Sequence, residues 1–155
     1  MSERELRITI PGKPQARQAH DIIRLPNGRP YKKLPQESEN YAAYARLCAA
    51  QTMQGRPPIK GAVAIEYLFV FEAPKSLRRA QREAVARGEF IVHESRRNDM
   101  CNLLKEINDA LKGIVFEDDG LIVDAGFSKR HGAKPCAIVT IRSINTQTKE
   151  SDHAE

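Results

Sequence analysis

Arg97-Asn98-Asp99-Met100-Cys101-Asn102-Leu103-Leu104-Lys105-Glu106-Ile107-Asn108-Asp109-Ala110-Leu111, with Phe116-Glu117-Asp118-Asp119 close behind, is the stretch that decides how the chain reads. At about 3.6 residues per turn, Leu103, Leu104, Ile107, Ala110 and Leu111 share one helical face, while Asp99, Asn102, Lys105 or Glu106, and Asp109 line the other. The spacing predicts a helix from about Asn98 to Lys112, with Gly113 in the C-terminal cap position. Asp99 falls in its first turn, where a carboxylate also gains from the positive end of the helix dipole. Asp118 and Asp119 repel each other on the connector beyond, and either a solvated turn or a bound cation offsets that repulsion. Oxygen donors with no histidine nearby suit magnesium or manganese rather than zinc.

Working outward, Leu121 to Phe127 and Cys136 to Ile141 read as strands joined by a turn near Gly132. Upstream, Ala62 to Phe71 is β-branched and aromatic and too continuously apolar for an exposed face, so it reads as a central strand. Leu6 to Ile10 alternates as a half-buried strand does, and Pro11-Gly12-Lys13-Pro14 stops it. From Pro11 to Pro35 little regular structure is expected, apart from a turn at Asn27-Gly28. Ser38 is a candidate cap for a helix carrying Tyr41, Tyr44, Ala45, Leu47, Cys48 and Met53. Ser76 to Gly88 reads as a short basic helix able to bury only a narrow stripe, and residues from about Ser143 onward as a polar tail.

With 155 residues the chain suits one domain, since two halves would each lie near the lower limit for independent folding. No apolar run approaches a membrane span, and the opening Met1-Ser2-Glu3-Arg4-Glu5 lacks the apolar core of a signal peptide, so a cytoplasmic protein is expected. Cys48, Cys101 and Cys136 are scattered and read as reduced thiols. A net charge of +5 admits a polyanionic partner. The basic residues gather in two groups, Lys13, Arg17, Arg24, Arg29, Lys32 and Lys33, then Lys75, Arg78, Arg79, Arg82 and Arg87. Basic loops around a small acidic centre suit an enzyme that holds phosphates while a cation serves the chemistry.

These motifs resemble the RusA-type Holliday junction resolvases, a family found in bacteria and especially in prophages. The resemblance rests on Asp99 to Lys105, Asp109-Ala110-Leu111, the Asp118-Asp119 pair and Ile122-Val123 on to Lys129, with Ile10 to Pro14 and Ala73 to Ser76 also similar. It implies a magnesium-dependent endonuclease, with manganese able to substitute, that resolves four-way DNA junctions in recombination and repair. The expected fold is a single α+β domain over residues 1–144 with a polar tail over 145–155, its mixed sheet covered by helices mainly on one face. An intertwined homodimer is expected, because a two-fold symmetric junction needs two active sites. Asp99, Lys105 and Asp119 would be catalytic, and Asp99, Asp118 and Asp119 would bind the metal, converging closely enough to share it. Lys13, Arg17, Arg29, Lys32, Lys33, Lys75, Arg78, Arg79 and Lys129 would contact DNA.

One position departs from the family pattern: Cys101 stands where the second aspartate of the helix motif belongs. A thiol is a poor magnesium ligand. Two readings stay open. Either Asp118, Asp109 or a water substitutes and cleavage persists at a reduced level, or the protein binds junctions without cutting them. A basic scaffold, in which the carboxylates only cap a helix and form a turn, is the third class.

Overall fold

A computed structural model describes residues 5–144. Alternating residues make β1 (Glu5–Pro11), which turns Ile8 and Ile10 inward. The proline-rich arm beyond it is more regular than its sequence suggests. It contains an antiparallel hairpin of β2 (Asp21–Arg24) and β3 (Pro30–Lys33), all eight residues of which are exposed. Gly28 turns the hairpin with φ of 81°, and the Asn27 side chain accepts from the Arg29 amide at 3.0 Å. Helix α1 (Gln36–Met53) follows. Ser38 is not its cap, a place taken by Pro35; the serine sits buried in the first turn.

The apolar run becomes β4 (Val63–Glu72), then come α2 (Arg79–Ala86), β5 (Ile91–Val92) and α3 (Met100–Leu111). A short 3-10 turn at Asp119–Leu121 leads into β6 (Ile122–Gly132), and β7 (Cys136–Ser143) closes the described chain. The mixed sheet has the order β1-β7-β4-β6-β5. As its composition requires, β4 is central, parallel to β6 on one side and antiparallel to β7 on the other. Thus β6 and β7, though consecutive, form no hairpin: residues 133–135 carry the chain past the end of β4. The tail expected over 145–155 lies outside the described residues.

Helices α1 and α3 cover one face. Their Ala42, Ala45, Ala49, Leu103, Ile107 and Leu111 pack with Ile65, Tyr67, Phe69 and Phe71 of β4 in a single apolar cluster. On the opposite side of β4, Val70 is buried outside that cluster, as is Val85 of α2. Two of the three helices therefore lie together on one face of the sheet.

One member of the buried side of α3 is charged. Glu106 is fully buried, and its Oε2 accepts from the Arg17 guanidinium at 2.9 Å; the same guanidinium donates to Asp109. The Arg17 amide also donates to the Asn102 carbonyl at 3.0 Å, so the start of the arm is tied to α3 through both side chain and main chain. Arg17→Met should cost about 3–5 kcal/mol in urea unfolding at neutral pH, because a core carboxylate loses its cation. Burial raises the Glu106 pKa, and the charge of Arg17 opposes that rise without cancelling it. The native state thus holds this proton more tightly than the unfolded chain does. Stability from this group is greatest below the unfolded value of about 4.3 and falls as pH rises through the raised native value. Glu106→Gln should flatten that decline; an unchanged stability–pH profile would contradict the buried-carboxylate account.

Candidate active site

Asp99 is the N-cap of α3, as its place in the sequence implies. Its Oδ1 accepts from the Asn102 amide at 3.1 Å and its Oδ2 from the Asn102 side chain at 2.7 Å. Beyond it, the polar residues of α3 divide into two stripes. Asn102, Glu106 and Asp109 lie toward the arm, where Arg17 holds the latter two. Cys101, Lys105, Asn108 and Lys112 recur at i, i+4, i+7 and i+11 and form a second stripe, exposed except for the half-buried Asn108. Asp109 is the i+4 neighbour of Lys105 but is bound to Arg17, and among the described residues no ion pair holds the Lys105 ammonium.

The aspartate pair meets this second stripe at its far end. The Asp118 side chain accepts from the Gly120 amide at 2.8 Å and caps the 3-10 turn. Lys112 Nζ lies 3.3 Å from Asp118 and 4.0 Å from Asp119. The Gly120 amide first, then hydrogen bonds with Asp119 and Lys112, hold the Asp118 carboxyl below the usual range. The Lys112 ammonium is raised in turn, chiefly by its hydrogen bond to Asp118. Nearby, the Tyr67 hydroxyl donates to the Asn108 side chain at 2.6 Å. Burial pushes Tyr67 up to about 12; the Asn108 hydrogen bond lowers it and the negative charge of Asp119 raises it. Asp119 thus stands beside the last turn of α3.

Asp99 and Asp119, expected to share a cation, are thus set toward opposite ends of α3. With a rise of about 1.5 Å per residue, the backbone travels roughly 20 Å from Asp99 to Lys112. The lysine side chain that reaches Asp119 recovers only part of that length. Among the described residues, no group of three or more His, Cys, Asp or Glu side chains is placed to hold a metal ion. Among the described residues of one chain, the several oxygen donors that magnesium takes are therefore not gathered around one point.

The basic residues also separate by role. Arg24, Arg29, Lys32 and Lys33 ride on the exposed hairpin, and Lys13 is exposed just before it. Lys75 and Arg78 are on the surface ahead of α2, whereas Arg79 pairs with Glu83 at 3.0 Å. Two residues expected on DNA have partners within the protein. Arg17 is bound to Glu106 and Asp109, its side chain only 15% exposed. The Lys129 ammonium points at main-chain carbonyls of the segment before Asp99.

The sequence reading missed Lys112 and Glu106. Lys112 had a signal, since it closes the stripe that begins at Cys101; Glu106, expected on the polar stripe, lies at its border with the apolar face beside Ala110 and is buried instead.

A sequence model of the family described as Endodeoxyribonuclease RusA matches residues 11–142. The chain is also similar to Uncharacterized protein YqaN of Bacillus subtilis (strain 168), with 26% identity over 142 residues that cover 90% of this chain and 97% of that protein. The family match runs from the end of β1 nearly to the end of β7, taking in Asp99, Lys105 and the aspartate pair, and the chain belongs to the RusA endodeoxyribonuclease family.

Proposed function

We propose that this protein is a divalent-metal-dependent endonuclease, magnesium being the natural cation, that resolves four-way DNA junctions as a homodimer in the cytoplasm. Family membership supports the reaction class. The observation that carries the rest is the separation of Asp99 from the aspartate pair along α3. A carboxylate set too sparse in one chain becomes sufficient if a second copy brings its own Asp118 and Asp119 to Asp99.

The sheet offers an edge for such an arrangement. Because β5 pairs only with Arg130 and His131, the outer edge of β6 from Ile122 to Ser128 has no strand partner among the described residues. β6 runs from the Asp119 end of α3 back toward its Asp99 end, as Lys129 reaching Asn98 attests. Antiparallel pairing of two β6 edges about a two-fold axis near Ala125 sets Ile122 of one copy opposite Ser128 of the other. Each aspartate pair is then delivered toward the opposite Asp99, and one operation builds two sites. A two-fold symmetric junction needs two cuts.

In each such site Asp99 and the partner's Asp118 and Asp119 would hold the cation. Bound there, it would supply Lewis acidity to a phosphodiester oxygen and acidify a water. Lys105, exposed on the same stripe as Cys101 and with no ion pair among the described residues, would stabilise charge developing on the phosphate. The hairpin and the residues ahead of α2 would add phosphate contacts that position the branched DNA without reading its sequence. Cys101 weakens the donor set. That observation favours a second reading, a junction-binding protein with little or no cleavage.

Three outcomes are expected. With manganese or magnesium and a labelled four-way junction, Cys101→Asp should cut faster than the native chain, and Asp119→Asn should cut at least about 100-fold more slowly than its parent. Equal binding of junction and linear duplex by both forms would instead favour the scaffold class. Next, in the Cys101→Asp background, Asp99→Asn and Asp119→Asn should each be inactive alone. Mixed and allowed to exchange subunits, they should recover single-strand nicking, because one site of the mixed dimer keeps both carboxylates; no recovery would mean that each site lies within one chain. Finally, replacing Arg29, Lys32 and Lys33 with alanine should weaken junction binding and reduce the slope of log K against log salt by about 2 to 3. An unchanged slope would remove the hairpin from the DNA interface.

A further inference from the structure

Lys129 lies on β6, yet its ammonium is directed out of the sheet at the irregular segment that leads into α3. Nζ donates to the carbonyls of Ser95 at 3.0 Å, Arg97 at 3.2 Å and Asn98 at 3.3 Å. A lysine ammonium has three donors and no acceptor, so these carbonyls engage its full capacity. The main chain of the same residue is tied in as well, its carbonyl accepting from the His93 amide at 3.3 Å and from the Arg130 guanidinium at 3.0 Å. Residues from His93 to Asn98 have no helix or strand of their own, and Asn98 takes a left-handed φ of 58° immediately before the cap. Apart from the Arg97 amide donating to the Ser95 hydroxyl at 3.1 Å, what orders this segment is long-range, and much of it passes through one side chain.

We propose that Lys129 is a positioning residue: by gathering the carbonyls of Ser95, Arg97 and Asn98 it fixes the peptide that presents Asp99 and the first turn of α3 to the cation and the scissile phosphate. This rests on the nuclease reading for its consequence, though not for its geometry. The last of the three carbonyls belongs to the residue adjoining Asp99, so displacement of this peptide passes directly to the carboxylate. An ammonium with all three donors turned inward has none left for a DNA phosphate. A phosphate contact and a carbonyl staple make opposite demands on an arginine replacement: the guanidinium serves a phosphate at least as well, but its flat fork does not reproduce one point charge meeting three convergent carbonyls.

The test compares the native protein with Lys129→Met and Lys129→Arg, each prepared in the native and the Cys101→Asp background, by three readouts. Amide hydrogen exchange over Ser95 to Asn102 should quicken in both variants while the amides of β4 stay protected, since local opening is separable from global unfolding. Affinity for a four-way junction should stay at the native value. Manganese affinity, followed by the spin-resonance signal of the free ion and by the concentration needed for half-maximal cleavage, should weaken by about 10-fold or more, as for other residues that orient metal ligands. Unchanged exchange in Lys129→Met overturns the proposal. So does lost junction affinity in Lys129→Met that Lys129→Arg restores, because that pattern identifies a phosphate contact. Native protein and Cys101→Asp that both bind manganese but never cut would count against the nuclease reading alone, and exchange and metal affinity would still decide the role of Lys129.

Discussion

The placement of α3 depends on a charge inside the protein. Glu106 belongs to the face of that helix that packs against α1 and the sheet, and a carboxylate there is tolerable only because Arg17 reaches it from the arm after β1. Two results follow from the one contact. The arm is fastened at its base, which leaves the β2–β3 hairpin projecting as an exposed basic finger. The rotation of α3 about its axis is also set, because Glu106 and Asp109 must both face Arg17. That rotation turns Cys101, Lys105, Asn108 and Lys112 outward together, in one line between the two acidic ends of the site.

Helix geometry then limits what a single chain can do. A 12-residue α3 is long enough to keep Asp99 and the aspartate pair at opposite ends, with Lys112 neutralising the pair at its own end. On the proposed reading, each end of the helix would supply half of a cation site, and a two-fold symmetric substrate would call for two such sites. A lone copy would then lack a complete site for cutting DNA, and assembly of two copies would create both sites at once.

Much of the fold was legible in the sequence because the relevant physics is local. The unbroken apolar run of β4 announced a strand covered on both sides, and Leu103, Ile107 and Leu111 announced the buried face of α3. Gly113, with φ of 80°, ends that helix as its position suggested. The hairpin in the arm was harder, since its strands bury nothing and leave no apolar alternation to read. Contacts between distant residues were not legible at all: Arg17 and Glu106 are 89 positions apart, and the Lys129 staple is made to main-chain carbonyls, which every residue has. The distance from Asp99 to Asp119 was not legible either. Six extended residues from Gly113 to Asp118 could span about 20 Å, the length of the helix, and what keeps the pair at the far end is a turn in which the Gly113 amide donates to the Phe116 carbonyl at 2.8 Å.

The central claim is that the cation site is shared between two copies of the chain. Anomalous diffraction from crystals soaked in manganese addresses this directly, because the peaks locate the metal without reference to activity. The account predicts two symmetry-related peaks, each between Asp99 of one protomer and the aspartate pair of its partner. A peak coordinated by carboxylates of one chain alone, or a manganese-binding protein that stays monomeric, would contradict it.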